Sequence, residues 1–150
     1  MGEGADRYLI IESRYYDQVA EELMSGATDA LTKVAASWDV VTVPGVLEIP
    51  AALASAVAAT AAGRRSYAGY VLLGCVIRGE TSHYDIVAGE SARAVMDLSV
   101  AHRLAMGNGI LTVENGEQAM ARAKQSEKDK GGDAARAAIA MVALHRDFAG

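Results

Sequence analysis

Four short apolar runs, parted by helix-length stretches, predict an α/β fold with a four-stranded parallel sheet and helices on both faces. Three observations carry this. Most of the strand candidates are continuous apolar runs rather than alternating ones, as in strands buried on both faces. A helical stretch separates each pair, and right-handed crossovers then make a three-layer α/β/α, doubly wound arrangement. The 150 residues hold no internal repeat and no linker long enough to divide them, so residues 1–150 read as a single domain with a real core.

Residues 1–6 are Gly-rich and acidic and read as a loose tail. Tyr8–Ile11 is the first strand, ending at Glu12, Ser13 and Arg14. In the helix that follows, Val19, Ala20, Leu23, Met24, Ala27, Ala30, Leu31 and Val34 recur at spacings of three and four, with Asp17, Glu21, Glu22, Asp29 and Lys33 opposite. Trp38–Val43 alternates, is rich in valine and reads as the second strand. Pro44 and Gly45 break the chain, and Pro50 fits the first turn of an uncharged helix, Ile49–Ala62. Gly63 is a candidate C-cap, and Arg64 and Arg65 suit the negative end of the dipole. Gly69–Val76 is the third strand.

The stretch from Leu73 to Asp85, LGCVIRGETSHYD, organises the rest. It leaves the strand, turns at Arg78 and Gly79, and enters a helix running from Tyr84 to about Leu104. Ser82 and Asp85 have capping-box spacing. Free N–H groups at such a helix start, with the dipole, form an anion cradle. Gly107-Asn108-Gly109 reads as a turn and Ile110–Val113 as the fourth strand. Asn115 can cap a helix reaching about Lys124. Ser126–Gly132 reads as a charged flexible connection, and a last helix spans Asp133 to about His145.

Composition narrows the function. Net charge is −5, which disfavours a nucleic-acid partner. One cysteine, Cys75, excludes an intrachain disulfide and fits a cytoplasmic protein. The start MGEGADRY lacks the basic and apolar regions of a secretory signal, and no uncharged run reaches the ~20 residues of a bilayer span. Helices Ile49–Ala62 and Ala134–Leu144 have almost no wet face. That points to apolar subunit contacts and a homo-oligomer. The competing reading is a packed monomer whose small alanines tolerate exposure.

Active loops of such a sheet lie at the carboxyl ends of the strands, so those after Ile11, Val43, Val76 and Val113 share one rim. His83, in the first turn beside the cradle, suits a general acid/base, or is an ordinary exposed histidine. His102 and His145 sit in late helical turns, where a structural role suffices. Thr81 reads either as a phosphate contact or as a cap. Arg122, alone among Ala119, Ala121 and Ala123, is a candidate phosphate cation or a solvated charge. Glu48 can cap the next helix or accept hydrogen bonds from a polyol. Tyr15 and Tyr16 can stack on a flat ring or staple the first helix. Lys124, Lys128 and Lys130, mixed with Glu127 and Asp129, read as a solvated run. There is no Walker A, GxGxxG, CxxC, HExxH or nucleophile elbow.

VPGVLEIP, LGCVIRGETSHYD, GNGILTVEN with EQAMARA, and DKGGDAARAAI, in this order between Arg7 and Phe148, together resemble the lumazine synthases. The resemblance implies a flavodoxin-like layered fold and pentamers, which in some members stack into decamers or close into icosahedral shells. It implies condensation of 5-amino-6-(D-ribitylamino)uracil with 3,4-dihydroxy-2-butanone 4-phosphate to 6,7-dimethyl-8-ribityllumazine, the penultimate step of riboflavin biosynthesis. No metal or organic cofactor is implied. The family's ring-stacking aromatic falls on Tyr15. Contacts to the ribityl-pyrimidine fall on Val46, Leu47 and Glu48 and on Cys75, Val76 and Ile77. The phosphate loop falls on Glu80 and Thr81, and the acid/base histidine on His83. Arg122 falls on a phosphate-binding arginine contributed by the neighbouring subunit, and Asn108 and Lys130 on pocket positions from that neighbour.

The sequence departs from the family at several of these places. Tyr15 stands where Phe is frequent, Tyr16 where many members have Asn, Asn108 where some are aromatic, and Cys75 where Thr is frequent. Glu80 replaces a small residue, which implies weaker binding of the phosphorylated substrate. A non-catalytic flavin or lumazine carrier, or a mainly structural shell protein, are the alternatives on the same scaffold. Retention of His83 and Arg122 favours the enzyme, because a carrier needs neither.

Overall fold

The computed structural model describes residues 6–150. Its elements run β1 (Arg7–Ser13), α1 (Asp17–Lys33), β2 (Ser37–Val43), a 3-10 turn (Val46–Glu48), α2 (Ile49–Ala61), β3 (Gly69–Ile77), α3 (His83–Ala101), β4 (Met106–Val113), α4 (Gly116–Ala123) and α5 (Lys130–Ala149). All strand pairs are parallel, in the order β2-β1-β3-β4. Together with helices on both faces this is a three-layer, flavodoxin-like arrangement.

Alternation along the central strands divides the core. Tyr8, Ile10, Val71 and Leu73 face α1, α4 and α5, while Leu9, Ile11, Tyr70 and Leu72 face α2 and α3. All eight are almost wholly buried. Each large apolar side chain removed from water contributes about 1.5–3 kcal/mol, which fixes the register of β1 against β3. Chain order reverses between β1 and β3, so a crevice opens outside their carboxyl ends.

Several boundaries differ from the expectations. Of the expected tail, residues 1–5 lie outside the described residues. Asp6 is fastened: its carboxylate accepts two hydrogen bonds from Arg146, at 3.0 and 2.8 Å. Strand β1 continues through Glu12 and Ser13, both buried. The Glu12 charge is tolerated there because its carboxylate accepts from the Thr42 hydroxyl (2.7 Å) and from Arg14 (3.0 Å).

Gly107-Asn108-Gly109 is not a turn but part of β4. Its glycines serve close packing, since a Cβ on Gly107 would collide with the Ala134 carbonyl of α5. The expected capping box does not form. The Ser82 side chain makes no cap bond, the His83 N–H donates to the Thr81 hydroxyl at 3.2 Å, and Asp85 lies 3.6 Å from Arg78. Helix α3 stops at Ala101, short of Leu104, and Arg103 takes a left-handed φ of 52°. Helix α5 starts at Lys130, where a flexible connection was expected. The Asp129 side chain caps it, and Gly131 packs on the backbone of Leu23 in α1.

Other readings hold. Asn115 caps α4 by accepting from the Gln118 N–H at 2.8 Å. Pro50 lies in the first turn of α2, and Gly63, with φ of 75°, follows its end. Only Ile49 and Leu53 of α2 are buried, leaving Ala51, Ala54, Ser55 and Ala58 exposed. No helix among the described residues is long and apolar enough to cross a membrane.

Candidate active site

The crevice at the chain reversal is a cleft of about 360 Å³. Three stretches that leave the carboxyl ends of neighbouring strands form it. Tyr15 and Tyr16 follow β1. Val46, Leu47 and Glu48 form the 3-10 turn after β2. Cys75, Val76 and Ile77 end β3, and Thr81 and His83 follow in the loop and the start of α3. Ten of the residues named from sequence thus meet in one cleft. Glu80 is exposed in the same loop but does not line it.

The cleft floor is apolar and the rim polar. Val46 and Val76 are buried, whereas Tyr15 is 75% exposed and edge-on to Tyr16, with ring centroids 5.0 Å apart. Tyr15 therefore offers a free aromatic face at the mouth. Burial pushes the Cys75 thiol up to about 11, so it is a neutral lining group and not a nucleophile at pH 7. Burial also raises the Tyr16 phenol above its usual range. His83 is exposed, and among the described residues its ring meets no hydrogen-bond partner.

Tyr84 and Val87 also line the cleft, and the sequence reading did not assign them to a site. The available signal was their spacing of three on the helix that begins beside His83.

Arg122, Asn108 and Lys130 are not in this cleft. They line a second one, of about 420 Å³, together with Thr112, Asp133 and Ala137. That cleft opens beside β4, an edge strand of the sheet. Arg122 also lines a groove of about 960 Å³ that shares Tyr16 and Ile77 with the first cleft, but neither concavity that Arg122 lines includes His83.

The arginines differ in what they already hold. Arg14 bonds Glu12, Asp17 and Glu21, and Arg78 bonds Glu114 with Asp85 near by. Arg122 donates to the Gln118 carbonyl at 3.1 Å, and among the described residues it meets no carboxylate. Its guanidinium keeps donors in reserve for an anion. No group of three or more His, Cys, Asp or Glu side chains suited to a metal occurs among the described residues.

A family model described as 6,7-dimethyl-8-ribityllumazine synthase matches residues 6–146. The chain is 59% identical to the 6,7-dimethyl-8-ribityllumazine synthase of Bartonella tribocorum over 93% of this chain and 90% of that one. It is 60% identical to 6,7-dimethyl-8-ribityllumazine synthase 1 of Rhizobium meliloti, over 91% and 89%. With the Agrobacterium fabrum enzyme of the same name identity is 56%, over 95% and 96%. The parallel order β2-β1-β3-β4, the cleft at its reversal and this near full-length identity agree: the chain belongs to the 6,7-dimethyl-8-ribityllumazine synthase family.

Proposed function

We propose that this chain condenses 5-amino-6-(D-ribitylamino)uracil with 3,4-dihydroxy-2-butanone 4-phosphate to 6,7-dimethyl-8-ribityllumazine, in an active site shared between neighbouring subunits of a homo-oligomer. The observation that carries the reading is the convergence of Val46–Glu48, Cys75–Ile77, Thr81 and His83 on one cleft. Tyr15 stacks on the pyrimidine, and Glu48 accepts hydrogen bonds from the ribityl chain. Backbone groups around Val46, Leu47, Val76 and Ile77 read the ring edges.

The chemistry asks little beyond placement and proton transfer. The pyrimidine amine attacks the butanone carbonyl, and water leaves as the imine forms. Loss of phosphate follows, and the ribityl-bearing nitrogen then closes the second ring with loss of a further water. His83 moves protons at imine formation and at phosphate loss, a role for which an imidazole, able to give and to take a proton, is suited. The N–H groups at the start of α3, Thr81 and the neighbour's Arg122 stabilise the departing phosphate. Holding two reactive molecules together supplies much of the rate. Glu80 at the edge of the loop opposes the anion and weakens its binding.

The shared site is supported by the separation of the His83 and Arg122 clefts and by the apolar surface a single chain leaves open. Beyond the bare alanines of α2, Met96 is 57% and Val100 71% exposed on α3. Packing such faces together removes apolar area from water, and a pentamer does so head to tail. A soluble two-substrate reaction and a lone buried thiol suit the cytoplasm. A carrier role has no observation in its favour.

Mixing the two substrates with the protein tests the function, with lumazine fluorescence and released phosphate as readouts. His83→Ala is expected to lower kcat by about 10²–10⁴ while lumazine binding survives. Arg122→Ala is expected to raise KM for the phosphorylated substrate. Unchanged turnover in both variants contradicts the assignment.

A further inference from the structure

The loop Gly79–Ser82, assigned above to phosphate binding, has almost no support of its own. All four residues are exposed, and no heavy atom lies within 4 Å of a Cβ built on Gly79. Among the described residues, its hydrogen bonds go only to its own continuation: Thr81 accepts from the His83 N–H, and the Ser82 carbonyl accepts from the Ile86 N–H. The loop is therefore held by what holds its two ends.

One residue, Arg78, holds both. The Arg78 backbone N–H donates to the Val113 carbonyl at 2.9 Å, closing the end of β3 against β4. Its Nε lies 3.0 Å from each carboxylate oxygen of Glu114, the residue after β4. Its Nη1 is 3.6 Å from the Asp85 carboxylate, and its Cζ lies 4.2 Å from the centre of the Tyr84 ring. Tyr84 and Asp85 are in the first turn of α3, immediately after the loop. Arg78 thus anchors at Glu114 and grips the far end of the loop by an ion pair and a cation–π contact. A single exposed ion pair contributes little, but a network with a planar fork fixes geometry.

We infer that Arg78 is a positioning residue, which keeps the Gly79–Ser82 loop and His83 in their binding-ready shape by tying the first turn of α3 to Glu114. The inference rests on the function proposed above. Its guanidinium is committed to carboxylates and an aromatic face, and it acts on the phosphate through the loop. Arg78 was missed from sequence because Glu114 is 36 residues away along the chain.

The test exploits a difference in sign. Glu114→Gln removes a negative charge near the phosphate site, which by electrostatics alone tightens anion binding. If Glu114 instead anchors Arg78, the same change weakens it. Inorganic phosphate is titrated by calorimetry against the assembled protein, and KM is measured for the phosphorylated butanone. The expected result for Glu114→Gln and Arg78→Gln alike is a several-fold weaker phosphate affinity and a raised KM. The double variant should be no worse than Arg78→Gln alone, since linked residues are non-additive. Arg78→Lys, which keeps the charge but loses the fork, should recover only part of the affinity. Matched thermal unfolding of all variants shows that the effect is not loss of fold. Glu114→Gln binding phosphate as well as or better than the parent overturns the inference, as does full recovery by Arg78→Lys. A parent protein that makes no lumazine refutes the proposed function itself, a separate outcome.

Discussion

Gly107 of β4 lies directly beneath the Ala134 carbonyl of α5, so close that a Cβ on Gly107 has no room. A Cβ on Gly109, two residues on, would come within 2.9 Å of the Leu72 carbonyl and 3.0 Å of the Ala134 methyl. The pair lets α5 settle onto the sheet backbone, where Ala134, Ala135 and Ala138 are buried.

Gly107→Ala is therefore expected to destabilise the protein by about 3 kcal/mol, because the obstructing atoms are backbone and cannot rotate aside. Thr112→Ala, an exposed change on the same strand, should stay within about 1 kcal/mol. Denaturant titration of both variants checks this, and equal midpoints contradict the packing argument.

The Asp6–Arg146 pair gives a pH dependence with a definite sign. The Arg146 guanidinium hydrogen-bonded to Asp6 holds its carboxyl below the ordinary value of 3.8, against a smaller opposing effect of burial. A depressed carboxylate contributes stability that is present above the unfolded pKa and is lost as pH falls through the folded one. Both partners keep solvent contact, so the pair contributes little, and less at high salt. Asp6→Asn should lower stability slightly at pH 7, and the difference should fade as pH falls through and below the ordinary carboxylate range. A difference that persists in acid, measured by denaturant titration at each pH, rules out the ionic account.

Cys75 sits in the cleft, yet its burial keeps it protonated, with a pKa of about 11. At pH 7 the thiolate fraction is then about one in ten thousand. Iodoacetamide should modify the folded protein far more slowly than the unfolded chain, and bound lumazine should slow it further. Rapid alkylation at neutral pH contradicts the buried, neutral thiol. Cys75→Ser is expected to keep turnover within a few fold, since the position lines the cleft without supplying a nucleophile.

The fold class was legible because alternation of buried strands and amphipathic helices leaves few topologies open. The first cleft was legible for the same reason, since the residues after Ser13, Val43 and Ile77 must share the carboxyl rim of a parallel sheet. Gly107-Gly109 misled because turns and close backbone contacts select the same residue. The start of α5 was hidden for a related reason: Gly131 and Gly132 resemble a flexible linker, yet they are buried against α1 and the capping Asp129. The capping-box spacing at Ser82 misled because Ser82, with φ of −73° and ψ of 0°, lacks the extended backbone of a capping residue, and Asp85 lies beside Arg78 instead. Arg122 stood out locally as a lone arginine among alanines, but Asn108 and Lys130 carry no local sign of a binding role, and only the resemblance pointed to them.

The central claim is that His83 of one subunit and Arg122 of the next act on the same phosphate. Co-assembly of His83→Ala with Arg122→Ala subunits tests it most directly. Each variant alone is impaired at every site, but random mixing in a head-to-tail ring restores both groups at about one quarter of the sites. The predicted result is lumazine formation by the unfolded-and-reassembled mixture well above the sum of the two variants handled separately. A mixture no more active than that sum, with mixed oligomers demonstrated by mass spectrometry, contradicts a site shared between subunits.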